Sequence, residues 1–256
     1  MLFCERIRMR KTKIRLDEML VNSDLAADIS AAQAIIRAGT VLVNDKLSDK
    51  PGSLIRIDDK VRVRERRQFP WVSRAGEKLA YALKEFGWSP DSQVVVDLGA
   101  CTGGFTEVML CHGAKRVYAV DVGYGELAWK LRQDPRVVVM ERTNARHLTK
   151  DQFSQLPNWI VCDASFIKLS SILPAALELV SGSIHVIVLI KPQFEVAAHE
   201  VGEGGIVRDP ILHERVCAEI SSWFLEQGFS LLPIIESPIL GTEGNKEFLL
   251  GAFRDN

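Results

Sequence analysis

The chain of 256 residues has little cysteine, and what it has is scattered. Cys4, Cys101, Cys111, Cys162 and Cys217 are odd in number and form no C-x-x-C pair. That pattern excludes a disulfide framework and a thiolate zinc site, and it fits a reducing compartment. His112, His147, His185, His199 and His213 share no ligand spacing with one another or with the cysteines, so no metal site is expected. Long apolar runs are also missing. The longest, residues 184–190, is strand-sized and far short of a membrane span. The first residues carry no apolar core of a secretory signal, so a cytoplasmic protein with no membrane contact is expected. Neither a G-x-G-x-x-G fingerprint nor a G-x-x-x-x-G-K-[ST] phosphate loop occurs, which argues against a dinucleotide or a nucleoside triphosphate as ligand.

What is present is organised around residues 94–105, Val-Val-Val-Asp-Leu-Gly-Ala-Cys-Thr-Gly-Gly-Phe. An apolar β-branched run bounded by turn residues reads as a buried parallel strand. Glycines then let the backbone turn sharply and approach a ligand. Residues 105–111 read as a helix whose free N–H groups point into that turn. A second strand, residues 116–120, ends in Asp121. An acid about 20 residues beyond the turn can accept hydrogen bonds from the two hydroxyls of a ribose. No Lys or Arg stands in the turn to meet a phosphate. A nucleoside cofactor without phosphate is therefore expected, and S-adenosylmethionine fits, with Asp97 before the turn and Asp121 after it.

The net charge of −1 conceals an asymmetry. Residues 1–70 hold 15 Lys and Arg against 10 Asp and Glu, and the rest of the chain holds 17 against 23. A basic end (+5) on an acidic body (−6) suggests that the N-terminal part meets a polyanion. Residues 1–13 read as a basic arm. A short helix follows near Arg15. Ser30 is placed to cap a second helix with Ala34, Ile35 and Ala38 on its buried side and Gly39 at its end. Residues 41–43, 54–57 and 61–63 read as strands of one small sheet. The segments R-L-D-x-x-L, I-x-x-A-Q-x-x-I-x-x-G-x-V-x-V-N-D and D-D-K-V-R-V resemble the RNA-binding module first seen in ribosomal protein S-four. The resemblance implies an RNA-binding domain over residues 14–67. Ala31 stands where that family usually has Arg, so Arg15, Arg37, Lys46, Arg62, Arg64, Arg66 and Arg67 would supply the charge. A small protein–protein module is the alternative. Residues 68–72 break the pattern and read as a linker, with Pro70 holding its neighbour extended.

From residue 73 strands and helices alternate. Ser73 opens a helix that carries Lys78. Residues 137–140, 159–162 and 184–190 are strands, 170–180 and 212–227 amphipathic helices, and 229–237 and 248–253 a closing strand pair. Such alternation predicts an α/β domain over residues 73–256, a Rossmann-like sheet with helices on both faces, beside the small N-terminal α+β domain. Chemistry in open α/β sheets sits at strand ends. There the chain has Asp163, then Lys191, and Glu247 just before the last strand.

Lys78, Asp163, Lys191 and Glu247 match the K-D-K-E tetrad of the FtsJ-type RNA ribose 2′-O-methyltransferases. The chain is similar throughout residues 14–253 to the TlyA, or hemolysin A, family, through S-R-A-G-E-K-L, V-V-D-L-G-A-x-T-G-G-F-T, V-Y-A-V-D-V-G-Y-G-x-L, D-A-S-F-I, I-K-P-Q-F-E and G-N-x-E-F. The resemblance implies methyl transfer from S-adenosylmethionine to a ribose hydroxyl of ribosomal RNA, free or in a ribosomal subunit. In that chemistry Lys191 would take the hydroxyl proton or hold a nascent alkoxide, helped by the like charge of Lys78. Asp163 and Glu247 would orient the lysines. Cofactor contacts carry over onto Gly99, Ala100, Cys101, Gly103, Gly104 and Phe105, with Asn144 at the adenine edge. Cys101 and Glu203 depart from the Ser and Lys of relatives. They leave room for a catalytically inactive RNA-binding protein, while the family's name raises a membrane-active hemolysin. Base methylation calls for Asn/Asp-Pro-Pro-aromatic where this chain has D-A-S-F at 163–166.

Overall fold

The computed structural model describes residues 13–37, 39–63, 70–180, 182–241 and 243–255, in two compact units that divide after Gln68. Of the basic arm expected over residues 1–13, residues 1–12 lie outside the described residues, as do Ala38, Arg64, Arg66 and Arg67, while Lys13 belongs to the first strand.

In the first unit β1 (Lys13–Arg15) leads into α1 (Leu16–Asn22) and α2 (Ile29–Arg37). Strands β2 (Val41–Val43), β3 (Lys46–Leu47), β4 (Leu54–Arg56) and β5 (Val61–Val63) follow. The β2–β3 hairpin turns at Asn44 and Asp45, both left-handed at φ 49° and 65°, as a two-residue hairpin requires. Three expectations are corrected. Asp28, not Ser30, caps α2, accepting the Ala31 N–H at 2.8 Å. The buried stripe of α2 is Ala32 and Ile36, one turn apart, which pack on Leu16 and Leu20, while Ala34 faces water. The strands form two sheets rather than one. β4 pairs with β1, and β2 lies between β3 and β5.

The second unit holds one mixed sheet. Its strands are β6 (Val94–Leu98), β7 (Arg116–Val120), β8 (Val137–Met140), β9 (Trp159–Cys162), β10 (Ile184–Ile190), β11 (Ser230–Leu231), β12 (Ile235–Glu236) and β13 (Phe248–Arg254). Their order is β11-β13-β10-β9-β6-β7-β8, with β12 also on β13. The five from β6 to β10 are parallel, and β13 inserts antiparallel beside β10. Period-two alternation splits each strand between two cores. Val95, Val161 and Ile187 face α3 (Ala75–Phe86) and α4 (Gly104–Cys111). Val96, Ile160 and Val188 face α6 (Leu169–Glu178) and α8 (Pro210–Glu226). The expected strand over 229–237 is broken into β11 and β12 around Pro233, which has no N–H to give the ladder. Trp71 and Val72, expected in a linker, belong to the second unit. The Trp71 ring fills the space a Cβ at Gly76 would need, and the Val72 N–H donates to Glu107 at 2.5 Å.

Candidate active site

Register brings the site together. β6 and β9 run side by side with Leu98 opposite Cys162, so the next residues, Gly99 and Asp163, are neighbours. β10 and β13 are antiparallel with Ile190 opposite Phe248, so Lys191 leaving one strand and Glu247 entering the other come to the same end of the sheet. This is why three of the strand-end residues follow their strands and Glu247 precedes its own.

Two joined cavities open at these strand ends. One, of about 560 Å³, is lined by Lys78, Asp163, Lys191 and Glu247 together with Ser73 and Arg74. The other, of about 460 Å³, is lined by Asp121, Glu126 and Asn144. Gly99, Cys101, Asp163, Ser165 and Phe166 line both. The four ionic side chains form two pairs rather than one cluster. Lys78 Nζ donates to Glu247 Oε2 at 2.6 Å, and these residues are only 5% and 3% exposed. Lys191 Nζ lies 2.8 Å from Asp163 Oδ1 and donates to Ser165 Oγ at 2.8 Å. Each lysine thus has its own carboxylate.

The glycine turn is built tightly. Gly99, at φ +80°, leaves no room for a side chain, since a Cβ there would come within 2.9 Å of Ala164 Cα. Cys101 takes a left-handed φ of 48°, its N–H donates to Asp121 Oδ2 at 2.8 Å, and its Sγ meets Glu126 Oε2 at 3.2 Å. Asp121 also accepts from the Gly123 N–H at 2.7 Å, so its carboxylate is fixed while keeping lone pairs for a ligand. Asn144 accepts the Arg146 N–H at 3.1 Å through its side-chain oxygen and lines the smaller cavity.

Two expected cofactor residues stand behind the turn and line neither cavity. Gly103 backs onto Leu127 and Leu131. Asp97 is fully buried, accepts from Thr106 Oγ1 at 2.7 Å, and has its other oxygen without a hydrogen-bond partner. Burial pushes the Asp97 carboxyl up to about 7, against the hydrogen bond from Thr106. Ala100, Gly104 and Phe105 do line the larger cavity.

Several participants were not assigned a role from sequence. Phe166 holds a left-handed φ of 64°, is 90% exposed at the cavity mouth, and leans on Phe194 with ring centroids 4.9 Å apart. A bulky side chain in that backbone region is strained, and such strain gathers at functional sites. Asn245 is buried and ties the 202–208 loop to the entry of β13, accepting from the Val207 N–H and donating to the Gly205 carbonyl, both at 2.9 Å. Glu203 is exposed, and only its carbonyl is engaged, by Arg208. In the first unit Arg15 is spoken for by Asp17 at 2.6 Å and Arg62 by Asp45 at 2.6 Å. Arg37 and Lys46 are exposed.

Comparison with known proteins sets this geometry in a family. The model of the FtsJ-like methyltransferases matches residues 71–254. The rRNA methyltransferase candidate YqxC of Bacillus subtilis is 45% identical over 243 residues, covering 94% of this chain and 86% of its own. TlyA of Mycobacterium tuberculosis, a 16S/23S rRNA (cytidine-2′-O)-methyltransferase, is 41% identical over 238 residues, 93% of this chain and 89% of its own. The solved structure of a hemolysin candidate from Streptococcus thermophilus matches with a TM-score of 0.73 at 39% identity, covering 96% of this chain and 90% of that one. A stretch of 80 residues is 34% identical to small ribosomal subunit protein uS4 of Streptomyces coelicolor.

Proposed function

The chain belongs to the FtsJ-like methyltransferase family and, within it, to the TlyA group, and from that membership we propose that it methylates ribose 2′-hydroxyls of ribosomal RNA with S-adenosylmethionine as donor. The observation that carries the reading is the convergence of Lys78, Asp163, Lys191 and Glu247, from four separate elements, on one cavity. Asp121, at the end of β7, and Glu126 make the cavity beside it acidic.

The donor set fits this cofactor. The turn over 99–105 holds no cation, and Asp121 and Glu126 would repel a phosphate while accepting hydroxyl or ammonium groups. Asp121 would hold the ribose diol and Asn144 the adenine edge, with the backbone at Gly99, Ala100 and Cys101 against the rest of the molecule. Bound there, the cofactor supplies a methyl group already activated by a sulfonium, so in-line positioning is most of what remains. A ribose hydroxyl is a weak acid and must lose its proton as it attacks. The proton leaves to solvent in the open cavity, and Lys191, held by Asp163 and Ser165 in the larger cavity, stabilises the oxygen as negative charge develops. Lys78, fixed by Glu247, adds a second positive charge to the same cavity. Phe166 and Phe194 offer an apolar face on which a base can stack.

The first unit would hold the RNA, through Arg37 and Lys46 and the cations flanking the described residues. A ribosomal substrate makes a cytoplasmic location the natural one. A catalytically inactive binding protein is disfavoured by the intact turn around Cys101, whose thiol and N–H are both hydrogen-bonded. Among the described residues no helix is long and apolar enough to cross a membrane. The test is transfer of labelled methyl to purified ribosomal subunits, followed by nuclease digestion and nucleoside identification. A 2′-O-methylated nucleoside is expected; a base-methylated one, or no transfer to subunits or free RNA, contradicts the reading.

A further inference from the structure

A lysine ammonium has three protons to donate. Lys191 Nζ gives two of them, to Ser165 Oγ at 2.8 Å and to the Asp163 carbonyl at 3.2 Å, and pairs ionically with Asp163 Oδ1 at 2.8 Å. All three oxygens come from one short segment, the one that leaves β9 and runs under both cavities. Ser165 itself is exposed, so its hydroxyl supports no core packing. What it touches is the ammonium.

A second tie lies a few residues further on. Lys191 opens the short helix α7 (Pro192–Glu195), whose last residue, Glu195, is buried. Its Oε1 accepts the backbone N–H of Leu169 at 2.8 Å. That N–H is one of the donors that the first turn of α6 leaves without a helical partner. Burial raises the Glu195 carboxyl above the ordinary glutamate range, against that hydrogen bond. The segment 165–169 is therefore fastened at both ends to the turn that carries Lys191. Between the two ties Phe166 projects from its left-handed backbone and rests on Phe194, a residue of the same α7.

We infer that Ser165 and Glu195 are positioning residues, a double clasp that holds the Lys191 ammonium and the 165–169 segment in one fixed relation at the cavity. The inference rests on the methyltransferase reading and adds to it two uncharged or buried groups outside the ionic tetrad. Lysine has a long flexible stem, so two oxygens of Asp163 alone leave its head free to swing about that residue. The third oxygen, two residues along, removes that freedom. Glu195 keeps the segment that presents the third oxygen from lifting away.

The full-length protein as wild type, Ser165→Ala, Ser165→Thr, Glu195→Ala and Glu195→Gln would be assayed for methyl transfer to purified ribosomal subunits, with cofactor affinity measured by calorimetry. The wild type is scored first: if it makes no 2′-O-methylated nucleoside, the underlying reading falls and the clasp with it. Given an active wild type, Ser165→Ala is expected to lower kcat about tenfold or more, because reacting groups misplaced by a fraction of an ångström lose rate steeply. KM for subunits and Kd for S-adenosylmethionine should stay within about twofold. Ser165→Thr, which restores a hydroxyl, should recover most of the loss. Glu195→Gln, which keeps the acceptor oxygen, should likewise recover what Glu195→Ala loses. A smaller loss of kcat in Ser165→Ala overturns the clasp. So does a loss matched by weaker cofactor binding, or one that Thr does not rescue, since either marks general damage to the site.

Discussion

Glu247→Ala should destabilise the second unit severely, for a reason readable from the pair it breaks. Lys78 and Glu247 are separated by 169 positions in the chain, join α3 to the start of β13, and are 5% and 3% exposed with Nζ and Oε2 2.6 Å apart. Removing the carboxylate leaves a largely buried ammonium without its partner, and breaking a buried pair from one side costs about 3–5 kcal/mol. A domain of this size loses about 2–4 °C of melting temperature per kcal/mol, so the midpoint should fall on the order of 10 °C. Trp71, Trp88, Trp129, Trp159 and Trp223 all lie in the second unit, so intrinsic fluorescence during heating reports that unit alone. The double variant Lys78→Met/Glu247→Leu replaces both charges with apolar groups of similar volume, which is often neutral for stability. It should melt well above Glu247→Ala yet transfer no methyl. A Glu247→Ala midpoint within about 2 °C of wild type would refute the reasoning, because a truly buried pair costs far more than that. A double variant that melts below the single one would refute it as well.

Asp97 makes stability depend on pH in the opposite sense to an ordinary paired acid. Its folded value, about 7, lies above the 3.8 of an ordinary aspartate, so the folded state keeps a proton that the unfolded state has released. Stability from this group is complete below about pH 4 and is lost as pH rises through 7, up to about 4 kcal/mol over the window. Chemical denaturation between pH 5 and 8 should show that decline in the wild type and a flatter profile in Asp97→Asn; parallel slopes would rule out Asp97 as the source. For the first unit, Arg37→Ala and Lys46→Ala should each reduce the salt slope of RNA binding by about 1. Arg15→Ala should act on stability instead, because Arg15 holds the Asp17 carboxyl down at about 2 through a charged hydrogen bond. That support is present above about pH 4 and fades as pH falls through 2, and a urea titration of Arg15→Ala that matches wild type at pH 7 would contradict it.

The sheet was legible because its strands announce themselves. Residues 94–96, 137–139 and 184–190 are nearly unbroken apolar, mostly β-branched runs between turn residues, and all became strands of the sheet. The first unit was harder. Its strands are two or three residues long, too short for periodicity to say which pairs with which, and β4 turned out to pair with β1 across the whole module. The α2 face was read only in part: Ile35 does pack on the core, but Ala34 faces water and looks in sequence as apolar as Ala32 and Ile36, which are the residues buried against Leu16 and Leu20. In the site Asp163, Lys191 and Glu247 were noticed at strand ends, but any one of them alone reads as a surface ion pair, and it was the match of the ordered set, with Lys78 on α3, to the K-D-K-E tetrad that singled them out. Which lysine meets which carboxylate depended on β13 running antiparallel beside β10. Ser165, Phe166, Glu195 and Asn245 sat inside motifs already noticed, but three of them are neutral, and all act through backbone position or contacts made only after folding. Asp97 shows the converse. Its charge drew attention to the right turn, yet the side chain points behind it, to Thr106.

The central proposal is that Lys78, Asp163, Lys191 and Glu247 carry out methyl transfer beside a cofactor pocket with which they share Asp163. The most direct test is to measure, on one preparation of Lys191→Ala, both S-adenosylmethionine affinity by calorimetry and methyl transfer to ribosomal subunits. Lys191 lines the larger cavity and is absent from the one around Asp121 and Asn144. Cofactor affinity within about threefold of wild type, with transfer reduced by a factor on the order of 100 or more, is the predicted result. Transfer at the wild-type rate would contradict the account.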